Sequence, residues 1–172
     1  MVGMEVLDAI HSRRTVKDYG DAPVPRNQLD RILEAARWAP NHRMTEPWRF
    51  RVLGPVALGR LASAAGEGAA KLLRAPTLVV ASYVPSPLPL HAAEDEQAAA
   101  CAVYAVLLAA HEEGIASYWR TPAVLSSEAG RLAVGLPDGE RVLGLLHFGD
   151  RAGEEPVAPE RRPLEAYVAY LD

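Results

Sequence analysis

The chain has 172 residues, 49% of them hydrophobic and 23% charged, and its 18 basic and 22 acidic side chains leave a net charge of −4. That length suits one domain over residues 1–172, and that composition supplies a packed core, which excludes a disordered chain. The acidic balance lacks the basic face of a general nucleic-acid binder, and no apolar run approaches the roughly 20 residues of a membrane span, so neither partner is expected.

The first five residues, Met1 to Glu5, carry no leader pattern, and a cytoplasmic location is expected. Residues 5–13 place Val6, Leu7 and Ile10 on one stripe and predict a short amphipathic helix. Residues 18–26 read as a loop. Asn27 is the expected N-cap of a second helix, in which Leu29, Ile32, Leu33 and Ala36 recur at i, i+3, i+4 and i+7 and Pro40 is the stop. Residues 48–53 alternate Trp48, Phe50 and Val52 with Arg49 and Arg51, a strand pattern. A helix over 55–71 is weakened at Gly66 and Gly68. The near-continuous apolar run 76–84 predicts a central strand covered on both faces.

Residues 92–113 form the longest predicted helix, with Gly114 at its C-cap. Apolar residues nearly encircle it, so deep burial is expected. Cys101 lies in its alanine-rich run and reads as an inert core thiol; a single cysteine excludes an internal disulfide and a multi-cysteine metal centre. A strand over 115–120, a helix over 127–134 and a strand over 141–148 follow. Residues 164–171 alternate weakly, as a last strand or helix. The mixed order predicts an α+β sandwich.

Three clusters carry potential chemistry. Arg13, Arg14, Thr15 and Lys17 end the first helix. Cations there complement the helix dipole, but guanidinium forks with a hydroxyl also suit a phosphate. Pro40, Asn41 and His42 sit in a polar loop, where a lone histidine is ordinarily a surface group. Trp119, Arg120 and Thr121 leave a predicted strand, a common ligand position in such sheets. The five histidines show no metal-ligand spacing and no His-Glu-x-x-His, so no metal is expected; residues 94–96 read as a solvated acidic helix start. No Gly-x-Gly-x-x-Gly, no phosphate-binding Gly-Lys loop and no nucleophile elbow is present.

In order and spacing the clusters resemble the N-terminal signature of the nitroreductase family. That pattern is Arg, Arg or His, Ser or Thr, any residue, then Lys or Arg, followed by Ala-Pro, five residues, and Gln-Pro-Trp-x-Phe. Here it stands as Arg13-Arg14-Thr15-Val16-Lys17 and Ala39-Pro40 to Glu46-Pro47-Trp48-Arg49-Phe50. Gly114 through Thr121 resembles the segment that runs over the flavin in the small, compact bacterial branch, and the likeness continues to residues 160–165.

The resemblance implies a three-layer α+β sandwich, a central mixed or antiparallel sheet flanked by helices. It implies a homodimer with two FMN sites shared at the interface. The implied activity is NAD(P)H-dependent, ping-pong reduction of a small-molecule electron acceptor such as a nitroaromatic or a quinone. Arg13 and Thr15 would hold the phosphate and ribityl chain, with Arg14 between them. Lys17 would approach the flavin edge that carries negative charge when reduced, where a fixed cation raises the potential. Pro40, Asn41 and His42 would close over the site from the other subunit, and Trp119, Arg120 and Thr121 would run along the ring. No side chain is implied as a catalytic acid. Two departures bear on potential and substrate range: Met44 replaces the family's frequent Asn, and Glu46 its Gln. A flavin- or phosphoryl-ligand binding module without turnover, and a dehalogenating or flavin-destroying enzyme on the same fold, remain as alternatives.

Overall fold

The computed structural model describes residues 4–171; residues 1–3 of the start read above for a leader lie outside them. Helix α1 (Val6–Ser12) and helix α2 (Arg26–Glu34) precede strand β1 (Trp48–Val52). Helices α3 (Pro55–Ala65) and α4 (Ala69–Leu72) lead to strand β2 (Thr77–Tyr83). The long helix α5 (Pro89–Glu112), strand β3 (Ala116–Arg120), helix α6 (Glu128–Ala133) and strand β4 (Arg141–Gly149) complete the order. Among the described residues no helix is long and apolar enough to cross a membrane.

The strands form one antiparallel sheet in the order β1-β2-β4-β3. Every residue of β2 is buried, as its apolar run predicts. Alternation sends Val79, Ala81 and Tyr83 toward α2 and α5, with Ile32, Val103 and Val106, while Leu78 and Val80 meet Leu61, Leu125 and Leu145 beside α3 and α6. Each such fully buried aliphatic side chain contributes about 1.5–3 kcal/mol. The result is the expected three-layer α+β sandwich. Within one layer α2 is tied to the end of α5 by Arg31, whose guanidinium donates 2.6 and 2.7 Å bonds to both carboxylate oxygens of Glu113 and holds that carboxyl below its usual range.

Helix ends depart from expectation where proline is involved. Helix α2 starts at Arg26 with Pro25 as N-cap, not at Asn27, and the Pro25 carbonyl accepts from Gln28 and Leu29. Helix α5 starts at Pro89, three residues before the predicted start; proline fits a first turn because its missing N–H has no helical partner there. Helix 55–71 breaks at Gly66, whose φ is +53°. The 164–171 tail forms only a short 3₁₀ turn, Leu164–Ala166, and is otherwise exposed, since nothing in this chain covers it.

Three readings of α5 are overturned. The helix buries one side only, through Ala98, Ala99, Ala102, Val103, Val106 and Ala110. Cys101 is exposed rather than in the core, because at 100° per residue it points away from that stripe, beside exposed Tyr104. Alanine on all sides hides the amphipathicity. The acidic run 94–96 is likewise not simply solvated. Asp95 is only 4% exposed, and Glu96 accepts a 2.9 Å bond from the Tyr83 hydroxyl.

Candidate flavin site

The first cluster is built by the end of α1 docking on β3. Arg13 is the C-cap, its N–H donating 3.0 Å to the Ala9 carbonyl. The Arg14 Nη1 donates to the carbonyls of His11 at 2.7 Å and Arg13 at 3.0 Å, so its guanidinium serves the helix end in this chain. The backbone then runs parallel to β3: Thr15 bridges Ser117, and the Val16 N–H donates 3.1 Å to the Ser117 carbonyl. Val16 is buried, which leaves Thr15 and Lys17 facing solvent. Lys17 Nζ lies 5.9 Å from the centre of the Tyr118 ring, within cation–π range.

Arg13 and Arg14 face two adjoining cavities. One, of about 380 Å³, is lined also by Arg151, His111, Ser117, Asp150 and Glu155. The other, of about 470 Å³, includes Tyr104 and Arg161. Three guanidinium groups therefore line each cavity, Arg13 and Arg14 being common to both, a donor set suited to a phosphate. His111 reports the same field. Burial first, and the neighbouring Arg13 charge second, push its pKa down, and its Nε2 lies 2.7 Å from the Ser12 hydroxyl. Nothing in the sequence spacing singled out Arg151 or His111, which reach the recess only through β4 and α5.

The second cluster is a strained loop. Arg43, Met44 and Glu46 have φ of +52°, +55° and +43°, conformations that L-residues occupy only when their surroundings impose them. The imposing contacts are visible. Asn41 Oδ1 accepts from the Glu46 N–H at 3.0 Å while its Nδ2 donates to the Ala39 carbonyl. Thr45 Oγ1 donates 2.9 Å to Asp95 Oδ1, and the other Asp95 oxygen accepts from the Ser86 N–H at 2.8 Å. Pro40, Asn41 and His42 line a cavity of about 380 Å³ with Glu94, Gln97 and Cys101. The Met44 and Glu46 departures thus fall on left-handed positions of this loop, with Met44 71% exposed.

At the third cluster the side chains turn into their own chain. Trp119 Nε1 donates 3.1 Å to the Leu143 carbonyl, and Arg120 Nη1 donates 2.9 Å to the Lys71 carbonyl. Thr121 is exposed just beyond β3. The first and third clusters are therefore joined along β3. The loop 40–42 is not joined to them. It sits beside Glu94, whereas Arg13 sits beside His111, and 17 residues of helix at 1.5 Å each separate those positions by about 25 Å.

Comparison with known proteins bears on the family and the fold. A family model described as "Nitroreductase family" matches residues 10–83, from within α1 to the end of β2. A Haemophilus influenzae protein named "Putative NAD(P)H nitroreductase" is 31% identical over 187 residues, covering 98% of this chain and 100% of that protein. The crystal structure of a nitroreductase-like family protein from Bacillus cereus shares the fold with a TM-score of 0.89 at 22% identity, over 99% of this chain and 98% of that one. A nitroreductase with bound FMN from Bacteroides fragilis gives a TM-score of 0.75 at 26% identity, over 98% and 100% of the two chains. A chain that folds as these proteins do, and shares nearly a third of its residues with one of them along its whole length, belongs to the nitroreductase family.

Proposed function

We propose that this chain is, as a single domain, an FMN-dependent NAD(P)H oxidoreductase that reduces small acceptors such as nitroaromatics or quinones. The observation that carries the reading is the docking of the Arg13–Lys17 segment on β3, which puts the Arg13 and Arg14 guanidinium groups on the walls of both cavities, with Arg151 on one and Arg161 on the other. The FMN held by the Bacteroides fragilis relative and the NAD(P)H in the name of the Haemophilus influenzae relative supply the ligand identities. Three arginines around each cavity fit a phosphomonoester dianion, and no Gly-x-Gly-x-x-Gly is present for the adenosine half of FAD.

Arg13, Arg14 and Thr15 would bind the phosphate end, and Lys17, held near Tyr118 on the exposed side of the segment, would place a cation by the flavin ring. Trp119, Arg120 and Thr121 would offer mainly backbone to the ring, since the first two side chains are bonded to Leu143 and Lys71. FMN, when bound, supplies two-electron exchange between NAD(P)H and the acceptor in two half-reactions at one open face. The protein contributes position and charge.

The separation of loop 40–42 from Arg13 is the reason to assign a homodimer. Pro40, Asn41 and His42 of one copy would complete the site of the other. The open side of α5, with Tyr104 exposed, and the exposed Val6 and Leu7 of α1 supply apolar surface for that contact.

The test is the purified chain itself. A flavin absorption band, FMN as the species released by acid, bleaching by NADH or NADPH without oxygen, and parallel-line kinetics are expected. FAD as the main flavin, or none after reconstitution with FMN, would defeat the reading. A flavin that no nicotinamide bleaches would leave a binding module in its place.

A further inference from the structure

A second set of side chains lies outside the arginine recess. His91 and Glu94 are three residues apart near the start of α5 and so share a helix face, and the strained loop brings His42 onto them. A nitrogen from each imidazole and one carboxylate oxygen all lie within 4.8 Å of one another. The two rings have centroids 5.6 Å apart and are tilted by 32°, so they are not stacked face to face. Glu94 Oε2 is shut off from solvent and has no hydrogen-bond partner among the described residues. A carboxylate oxygen in that state is costly unless a cation meets it.

We propose that His42, His91 and Glu94 bind one divalent transition-metal ion of the zinc type. Two neutral imidazoles and a carboxylate are a borderline donor set that suits zinc, with a fourth, open position for water. Zinc–ligand distances of about 2.0–2.1 Å in a tetrahedron put ligand atoms about 3.3–3.4 Å apart. Small side-chain rotations therefore close the observed cluster onto an ion. The site also has a structural purpose. The loop carries three left-handed non-glycine residues, and a metal bond from His42 to two residues of α5 would hold that loop on the helix beside the Thr45–Asp95 bond. The expectation of no metal rested on sequence spacing, and His42 is 49 positions from His91. His42 is shared with the flavin site proposed above, but the test reads ion binding through His91 and Glu94 with flavin content measured separately, so failure of one reading is distinguishable from failure of the other.

Protein dialysed against a chelator and then freed of it is titrated with Zn²⁺ by calorimetry and with Co²⁺ by absorption, with flavin content measured separately. One ion per chain at micromolar affinity or tighter, visible d–d bands for Co²⁺, and a raised melting temperature with Zn²⁺ are expected. His91→Gln and Glu94→Gln should each weaken Zn²⁺ at least about tenfold, since even groups behind the ligands are worth that much. His11→Gln, at an exposed histidine elsewhere, should not. Circular dichroism confirms that each variant is folded. No Zn²⁺ or Co²⁺ binding by the wild type overturns the proposal, and so does binding that survives both substitutions.

Discussion

Thr45 donates its hydroxyl hydrogen to the buried carboxylate of Asp95 over 2.9 Å, and this bond ties the strained loop before β1 to the first turns of α5. The same carboxylate takes the Ser86 N–H, so one side chain fixes two loops. Asp95→Ala is expected to destabilise the protein by about 3 kcal/mol, because it orphans a hydroxyl and a backbone donor and releases three left-handed residues. Thr45→Val should cost about 1 kcal/mol. Urea unfolding of the two variants and the double mutant checks this. The double mutant should fall short of the summed losses; full additivity would mean that the bond contributes nothing.

Gly144 explains the position of Trp119. A Cβ there would lie 2.5 Å from the indole nitrogen and 2.5 Å from the Arg120 carbonyl oxygen, and φ is +155°. Gly144→Ala should cost about 2–3 kcal/mol and red-shift tryptophan emission as the Trp119–Leu143 bond breaks. Gly59, within α3 and with open space where a Cβ would stand, is the contrast: Gly59→Ala should raise stability by about 0.5–1 kcal/mol.

His147 is fully buried on β4, with Nε2 2.9 Å from the Leu72 carbonyl and Nδ1 without a partner among the described residues. Burial pushes its pKa down to about 4 from an ordinary 6.5. Its folded form is therefore neutral, and above pH 6.5 both states are neutral and stability is complete. Between pH 6.5 and about 4 the unfolded chain takes the proton and the folded one does not, so up to about 3 kcal/mol is lost on acidification. Denaturant melts at pH 7.5 and 4.5 should show the loss, and His147→Gln should flatten that part of the profile. An unchanged slope would mean that other groups cause it.

If Arg13 holds the flavin phosphate as proposed, Arg13→Ala removes a charge-assisted fork, and bonds to charged groups are worth about 1.5–3 kcal/mol. FMN affinity should fall by roughly one to two orders of magnitude, with the fold intact by circular dichroism. Unchanged affinity would reduce the cluster to a cap on α1, the use that Arg14 already shows.

If the exposed faces of α5 and α1 are where two copies meet, Leu7→Lys, outside the arginine-lined cavities, should shift light scattering toward monomer and lower flavin occupancy together. A dimer that persists with full flavin would place the contact elsewhere.

Local signals were legible. The all-apolar β2 run, the Leu29–Ile32 stripe of α2, Gly114 past the end of α5 at φ +76° and the 127–134 helix, with Ser127 accepting the Gly130 N–H at 3.1 Å, follow from bonds between residues close in the chain. The order and spacing of Arg13–Lys17, Ala39–Phe50 and Gly114–Thr121 pointed to the family for the same reason, since each motif is a short contiguous segment.

What tertiary structure decided lies between segments. Asp95 looks like any acidic residue of a helix start, and only the arrival of Thr45 and Ser86 makes it a buried clamp. Cys101 and Tyr104 look like core in an alanine-rich helix, and only the placement of the sheet chooses which side of α5 is covered. His42 meets His91 and Glu94 because a strained loop folds back over a helix 49 positions further on. Periodicity and capping depend on neighbours within a few residues, whereas burial and ligand geometry depend on which surfaces pack through space, and that is set by the whole chain at once.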